Sequence, residues 1–167
     1  MKPIETERLI LRQFEPERDA PFVLEALNEP DFIENVADKG VRTVEQAADY
    51  IRTKFLPGHE RYGVGYCVVE LKESRIAIGT CGLVKREGLD DFDIGYSTLR
   101  RFAGNGYAFE AAAALMDYGR AELGLTRIIG LTSLTNEKSA HLLEKLGLRF
   151  ERLVPVAGFA SESRLFC

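Results

Sequence analysis

Apolar and polar residues follow two periods along this chain, and the switches between them mark out its elements. Residues 8–12 form a short apolar run suited to a first strand. After Pro16, the residues Phe22, Val23, Ala26 and Leu27 fall at helical spacing. Thr43 with Gln46 three residues on is a capping-box pair, opening a second helix that runs through about residue 55. The period then shortens. Residues 66–71 read as a strand, 72–75 as a hairpin turn, 76–84 as a returning strand and 92–99 as a third, an antiparallel meander. From 107 to 123 the positions Ala108, Ala111, Ala112, Leu115, Gly119 and Leu123 share one helical face, with Gly124 as terminator. A strand at 127–132, a shorter helix at 137–146 ended by Gly147, and a strand at 150–156 complete the series. The expected fold is mixed α/β: two helices inside a strand series, a meander, then a βαβ unit and a further helix.

Composition narrows the classes of function. At 167 residues the chain fits one domain, 1–167, with no repeat, low-complexity tract or linker to divide it. A domain of this length buries about two thirds of its unfolded surface, so neither disulfides nor metals are needed to hold it. The net charge is −4, with no basic stretch for a nucleic-acid backbone. Mild acidity would suit a cationic small acceptor, although it serves solubility equally well. Cys67 and Cys81 sit in strand-like runs, and with Cys167 the count is odd and without a CxxC pair. No zinc site or other metal spacing is indicated. Residues 1–7 hold no apolar signal core and no stretch approaches membrane-spanning length, so the expected location is cytoplasmic.

The chemistry concentrates between the third meander strand and the long helix, at Leu99 to Ala108. Glycines there remove side chains where backbone N–H groups must face an anion, and a helix N-terminus adds unpaired donors and partial positive charge. A diphosphate is the natural ligand; a turn that needs glycine only for its geometry is the other reading. A P-loop is ruled out because Gly106-Tyr107-Ala108 lacks the lysine and hydroxyl. A dinucleotide fingerprint fails because Phe109 stands where a third glycine belongs.

Arg101-x-x-Gly104-x-Gly106-Tyr107-Ala108, followed by Glu110-Ala111, resembles the acetyl-CoA signature of the GNAT N-acetyltransferase superfamily. Residues 5–12, Ile94-Gly95-Tyr96, Asn136-x-x-Ser139 and residues 142–147 resemble its ribosomal-protein N-terminal acetyltransferase-like branch. The likeness runs in order along nearly the whole chain. It implies a mixed, mostly antiparallel sheet splayed between its fourth and fifth strands, flanked by about four helices, with acetyl-CoA in the splay. Amides of Arg101, Phe102, Ala103, Gly104, Asn105 and Gly106 would hold the pyrophosphate, with Tyr107 and Ala108 at the helix start. Main chain from Tyr96 to Leu99 would pair with the pantetheine arm, and Asn136 and Ser139 would complete the cofactor side.

The expected reaction is acetyl transfer to a primary amine, a protein N-terminus or a small molecule, by direct attack in a ternary complex. The amine must lose a proton and the departing thiolate gains from an acid. Asp93 is the candidate base, with a solvated strand residue beside Asp90 and Asp91 as the other reading. Ser139 is the candidate acid, since Leu143 stands where relatives outside the branch often carry tyrosine. Its other reading is a first-turn residue behind the N-cap Asn136. His59 and His141 are expected to be core or surface residues. The acceptor pocket should be shaped by residues 32–36, Phe14 and the loop near Phe159. Expected partners are acetyl-CoA and an amine acceptor, with a homodimer allowed and no nucleic acid or membrane. A non-catalytic acyl-CoA-binding module and a nucleotide-binding protein are the alternatives.

Overall fold

A computed structural model describes residues 1–159 and 161–167. Its frame is an eight-stranded sheet in the order β1-β2-β3-β4-β5-β6-β8-β7. The strands are β1 (Ile4–Glu5), β2 (Leu9–Gln13), β3 (Tyr66–Leu71), β4 (Ala77–Lys85), β5 (Phe92–Thr98), β6 (Ile128–Ser133), β7 (Phe150–Val154) and β8 (Ser163–Phe166). Every neighbouring pair is antiparallel except β5–β6, joined by the crossover helix α5 (Tyr107–Leu123). The other helices are α1 (Pro16–Leu27), α2 (Pro30–Asn35), α3 (Val44–Tyr50), α4 (Leu56–Tyr62) and α6 (Glu137–Lys145). Since α3 and α4 are fused, five helical bodies flank the sheet among the described residues.

The two sheet faces carry separate cores. Leu9, Leu11, Ile78, Leu83 and Ile94 pack on one face against Ala111, Ala112, Leu115 and Met116 of α5. On the other, Val68 and Phe14 meet Ala20 and Val23 of α1 and Ala47 and Ile51 of α3. α5 lies tight on β4 because Gly119 has no side chain; a Cβ there would stand 2.6 Å from Leu83 Cδ1. Arg12 ties three elements together from inside. Its guanidinium donates to both oxygens of Asp19 on α1 at 2.8 Å and to Glu70 on β3 at 2.9 Å. Removing one partner of so buried a cluster costs about 3–5 kcal/mol.

Three features depart from the sequence pattern, each for a local reason. The second helix does not stop near residue 55: a π-helical turn, Ile51–Phe55, widens it and it continues to Tyr62. Pro57 cannot donate a helical hydrogen bond, and the wide turn accommodates that loss. Gly63, at φ +72°, provides the stop instead. The short strands β1 and β8 and the six-residue α2 carry too few apolar positions to show a period. The last predicted strand ends at Val154, and β8 inserts between it and β6.

The feature that matters for function is the gap between β5 and β6. These strands pair only at Phe92↔Ile128 and Asp93↔Ile129, after which β6 turns to β8. On β5's other side, Leu99 N–H donates to Ile78 O at 2.8 Å. With the register Gly79↔Thr98, that bond turns the amides of Asp93, Gly95 and Ser97 toward β4 and those of Tyr96 and Thr98 into the gap. The fourth and fifth strands of the sequence pattern are β5 and β6, so the splay falls where the resemblance puts it.

Candidate active site

A cleft of about 610 Å³ opens where β5 and β6 part. Asp93, Ile94, Gly95, Tyr96 and Ser97 of β5 line it, facing Leu131, Thr132 and Ser133 of β6 with Asn136 and Ser139 of α6. The predicted residues divide between this cleft and the turn just past its end.

At the turn, Arg100–Phe102 form a single 3₁₀ turn and Gly104 and Gly106 both take φ +80°. Two of the amides expected to face the diphosphate are already used. Phe102 N–H donates to Leu99 O and Ala103 N–H to Arg100 O. The first bond of α5 runs from Glu110 N–H to Gly106 O, and the amides of residues 104–109 meet no protein acceptor among the described residues. The donor set is therefore displaced toward the helix start, including Tyr107 and Ala108. Arg101 turns its guanidinium away from this set, to Glu25 on α1. Leu99 is buried, its N–H held by Ile78 O.

A clasp that the sequence did not suggest fixes this turn. Glu110 accepts hydrogen bonds from Thr6 Oγ1 at 2.6 Å, Arg8 N at 2.9 Å and Arg8 Nε at 2.7 Å. Arg8 also donates to Asn105 O at 2.9 Å and lies over the Tyr107 ring. The Arg8 and Glu110 that carried the resemblance thus bind the N-terminal arm to the glycine turn.

In the cleft, Asp93 is 1% exposed, so it is not a solvated strand residue. Its Oδ2 accepts from Arg86 Nε at 2.6 Å, while Oδ1 makes no hydrogen bond among the described residues. Burial raises the Asp93 pKa above the ordinary aspartate value, and the Arg86 charge opposes the rise without cancelling it. Arg86 was not singled out from sequence; it lies in a connection whose only visible signal was Gly88.

Ser139 sits in the first turn of α6, its N–H capped by Asn136 Oδ1 at 3.1 Å. The cap is real, and Ser139 Oγ also stands 3.2 Å from Tyr96 Oη. Tyr96 donates its single proton to Ser139 O at 3.0 Å, which leaves the serine hydroxyl free to donate to the phenol oxygen or into the cleft. Burial raises the Tyr96 pKa, so the phenol keeps its proton. Tyr96 entered the sequence reading for its main chain within Ile94-Gly95-Tyr96; the contact of its side chain with Ser139 was not foreseen.

Beyond Asp93 the cleft broadens between α2, α4 and the segment near Phe159, with Phe32, Val36 and Phe159 on its wall. Phe14 is not on the wall: it is a core residue, its ring 4.7 Å from that of Phe55. His59 is buried and His141 exposed. No group of metal-binding side chains and no helix long and apolar enough to cross a membrane occurs among the described residues.

A split sheet with strand amides facing the gap, and a donor-rich turn at its end, suits an extended molecule carrying phosphate at one end. The acetyltransferase (GNAT) domain description matches residues 8–149, and the chain belongs to that family. It is an acetyl-CoA-dependent N-acetyltransferase. It is similar to YkkB of Bacillus subtilis, at 29% identity covering 95% of this chain and 94% of that protein. An N-acetyltransferase p20 of Bacillus licheniformis is 32% identical, covering 92% and 86%. Among solved structures, a GNAT-family acetyltransferase from Bacillus anthracis superposes with a TM-score of 0.79 at 27% identity, covering 99% and 96%.

Proposed function

We propose that the chain acetylates a primary amine by direct attack in a ternary complex, with Asp93 as proton acceptor and Ser139 serving the departing sulfur. The observation that carries this reading is Asp93 Oδ1, a buried carboxylate oxygen without a partner on the wall of the cleft. Acetyl-CoA supplies the acyl thioester, and the free amides of residues 104–109 suit its diphosphate. The amides of Tyr96 and Thr98 face the gap, where one can donate to the thioester oxygen as negative charge builds on it.

The balance of the step is simple. One ammonium proton passes to Asp93 directly or through water, the neutral nitrogen forms a bond to the acetyl carbon and the carbon–sulfur bond breaks; the second nitrogen proton leaves as the amide forms and goes, through water or the Ser139 hydroxyl, to the departing sulfur. The thiolate meets the Ser139 hydroxyl, which Tyr96 holds in place. Asp93 suits its part because burial makes it a stronger base than an exposed aspartate while Arg86 keeps it from staying protonated. Most of the acceleration comes from holding amine and thioester together.

The test is a thiol-release screen with acetyl-CoA and a mixed panel of small amines and peptides. Turnover of at least one amine, giving its N-acetyl product, is the expected result. Saturable acetyl-CoA binding with no CoA release on any amine would support a binding module instead.

A further inference from the structure

We infer that the acceptor is a small amine that itself carries an anionic group, a carboxylate or a phosphate, a few bonds from the nitrogen. This rests on the acetyl-transfer reading above and names the substrate class for the same site. The protein as a whole is acidic, at −4, yet the cleft wall is not. Among the described residues five cations line it, Lys39, Lys54, Arg61, Lys85 and Arg86, against two carboxylates, Glu34 and Asp93. Arg86 is neutralised by Asp93, and Lys85 is held to Asp90 O.

Lys39 is the informative residue. It is half-buried, its pKa is lowered first by burial, and the charges acting on it, Arg86 and Lys54, are both positive. Holding a lysine there against like charge is unfavourable until an anion arrives, and a ligand anion gains most where the cations lack partners of their own. Arg61 adds a further charge at the same rim, stacked on Tyr62 at 5.2 Å.

The phosphates of acetyl-CoA do not account for these cations. They belong with the free amides past Leu99, six residues along β5 from Asp93, roughly 20 Å at strand rise. Asp93 Oδ1 and the lysines thus present one acceptor for an ammonium and several donors for an anion in the lining of a single cleft. A cleft of about 610 Å³ has the size of a small-molecule site. A protein N-terminus offers the amine but no built-in anion next to it.

The experiment uses the whole protein with acetyl-CoA and matched amine pairs: alanine against alaninamide, and 2-aminoethyl phosphate against ethanolamine. A spermidine arm and a peptide beginning with Glu are added. The anionic member of at least one pair should show a kcat/KM about tenfold or more above its neutral partner, and the pair that does so tells carboxylate from phosphate. Lys39→Gln with Lys54→Gln should erase that preference through KM for the acceptor and leave KM for acetyl-CoA unchanged. The milder exchange to Gln keeps size and polarity, and a melting curve confirms that the variant is folded.

Equal turnover of neutral or cationic amines would overturn the inference while leaving acetyl transfer intact. Preference for the Glu peptide over every free amine would overturn the small-molecule part. If no amine turns over, calorimetry decides, with 2-aminoethyl phosphate and alanine titrated into CoA-loaded protein. Binding lost in the double variant would uphold the anion site while the catalytic reading fails, and no binding in the parent would overturn it.

Discussion

The two ends of β5 present charge by opposite means. Past its C-terminal end, at the glycine turn, the charge is carried by backbone: free amides of residues 104–109 at the start of a 17-residue helix. The side chains nearby, Arg8, Thr6 and Glu110, hold the turn in shape. Near its N-terminal end the charge is carried by side chains from separate segments: Asp93 on β5, Arg86 in the preceding connection, Lys39 before α3 and Lys54 within the π turn. Backbone donors are indifferent to what lies beyond the diphosphate, so the first end suits a constant ligand. Side-chain charges change with single substitutions, so the second end is where one relative can differ from another in its acceptor.

That contrast is broken most sharply at Asp93. Asp93→Asn keeps the shape and removes the proposed proton acceptor, so turnover near neutral pH should fall by about 10²–10⁴-fold, while acetyl-CoA affinity stays within about twofold. The loss should shrink at high pH, where solvent already supplies neutral amine. In the parent enzyme the proposed base should be lost as pH falls through the Asp93 pKa, and because burial raises that pKa the decline should start above the range of an exposed aspartate. A pH–rate profile of both proteins with one acceptor checks this; a uniform loss at every pH would mean that Asn displaces the strand.

At the other end, Gly106→Val places a branched side chain at φ +80°, in the donor set and 3.5 Å from Arg8 Nη2 at its Cβ. In the parent, acetyl-CoA at a hundredfold excess over its dissociation constant should stabilise the fold by about 2.7 kcal/mol, a melting shift of roughly 5–10 °C. Gly106→Val should lose most of that shift. Gly124→Val is the matched control, with a similar positive φ at the far end of α5 and no neighbour within 4 Å. It should lower stability by about 1–3 kcal/mol yet keep the ligand-induced shift. Equal shifts in all three proteins would mean that the glycines serve the turn alone.

What could be read from the sequence follows the same division. The meander, α5 and its Gly124 stop are each local patterns, and the structure places them at Tyr66–Leu71, Ala77–Lys85, Phe92–Thr98 and Tyr107–Leu123. The glycine turn was legible as a turn, because Gly104 and Gly106 take a positive φ that few other residue types adopt. Asp93 and Ser139 were visible as chemistry, but not what touches them. Arg86, and the side chain of Tyr96 as distinct from its main chain, gain meaning only from the folded contacts, with the β4–β5 register setting Val84 beside Asp93 and Cys81 beside Tyr96. Lys39 looked like an ordinary loop lysine. The overrun of the second helix stayed hidden because a π turn has no period of its own in so short a stretch, and Pro57-Gly58 reads as a break.

The smallest expected effect is on stability, at a histidine that holds the start of β3. His59 on α4 donates from Nε2 to Tyr66 O at 2.7 Å, where β3 begins below the cleft, and its Nδ1 is buried without a partner. A second proton would have to sit on that Nδ1. Burial accordingly lowers the His59 pKa beneath the ordinary imidazole value of 6.5, with the N-terminal amine a minor contributor in the same direction. Because the folded-state pKa is the depressed one, the unfolded chain binds the extra proton more readily. The stabilisation is therefore complete above pH 6.5 and drains away as pH falls, at no more than about 1.4 kcal/mol per pH unit for one proton. His59→Gln keeps a donor for Tyr66 O and cannot charge. The difference in unfolding free energy between parent and variant, followed from pH 7.5 to 5, should move toward the variant as pH falls, with Asp93 and every other group cancelling in the comparison. Parallel stability curves for parent and variant would show instead that His59 binds its second proton as readily in the folded chain as in the unfolded one, so that burial of Nδ1 does not hold it neutral.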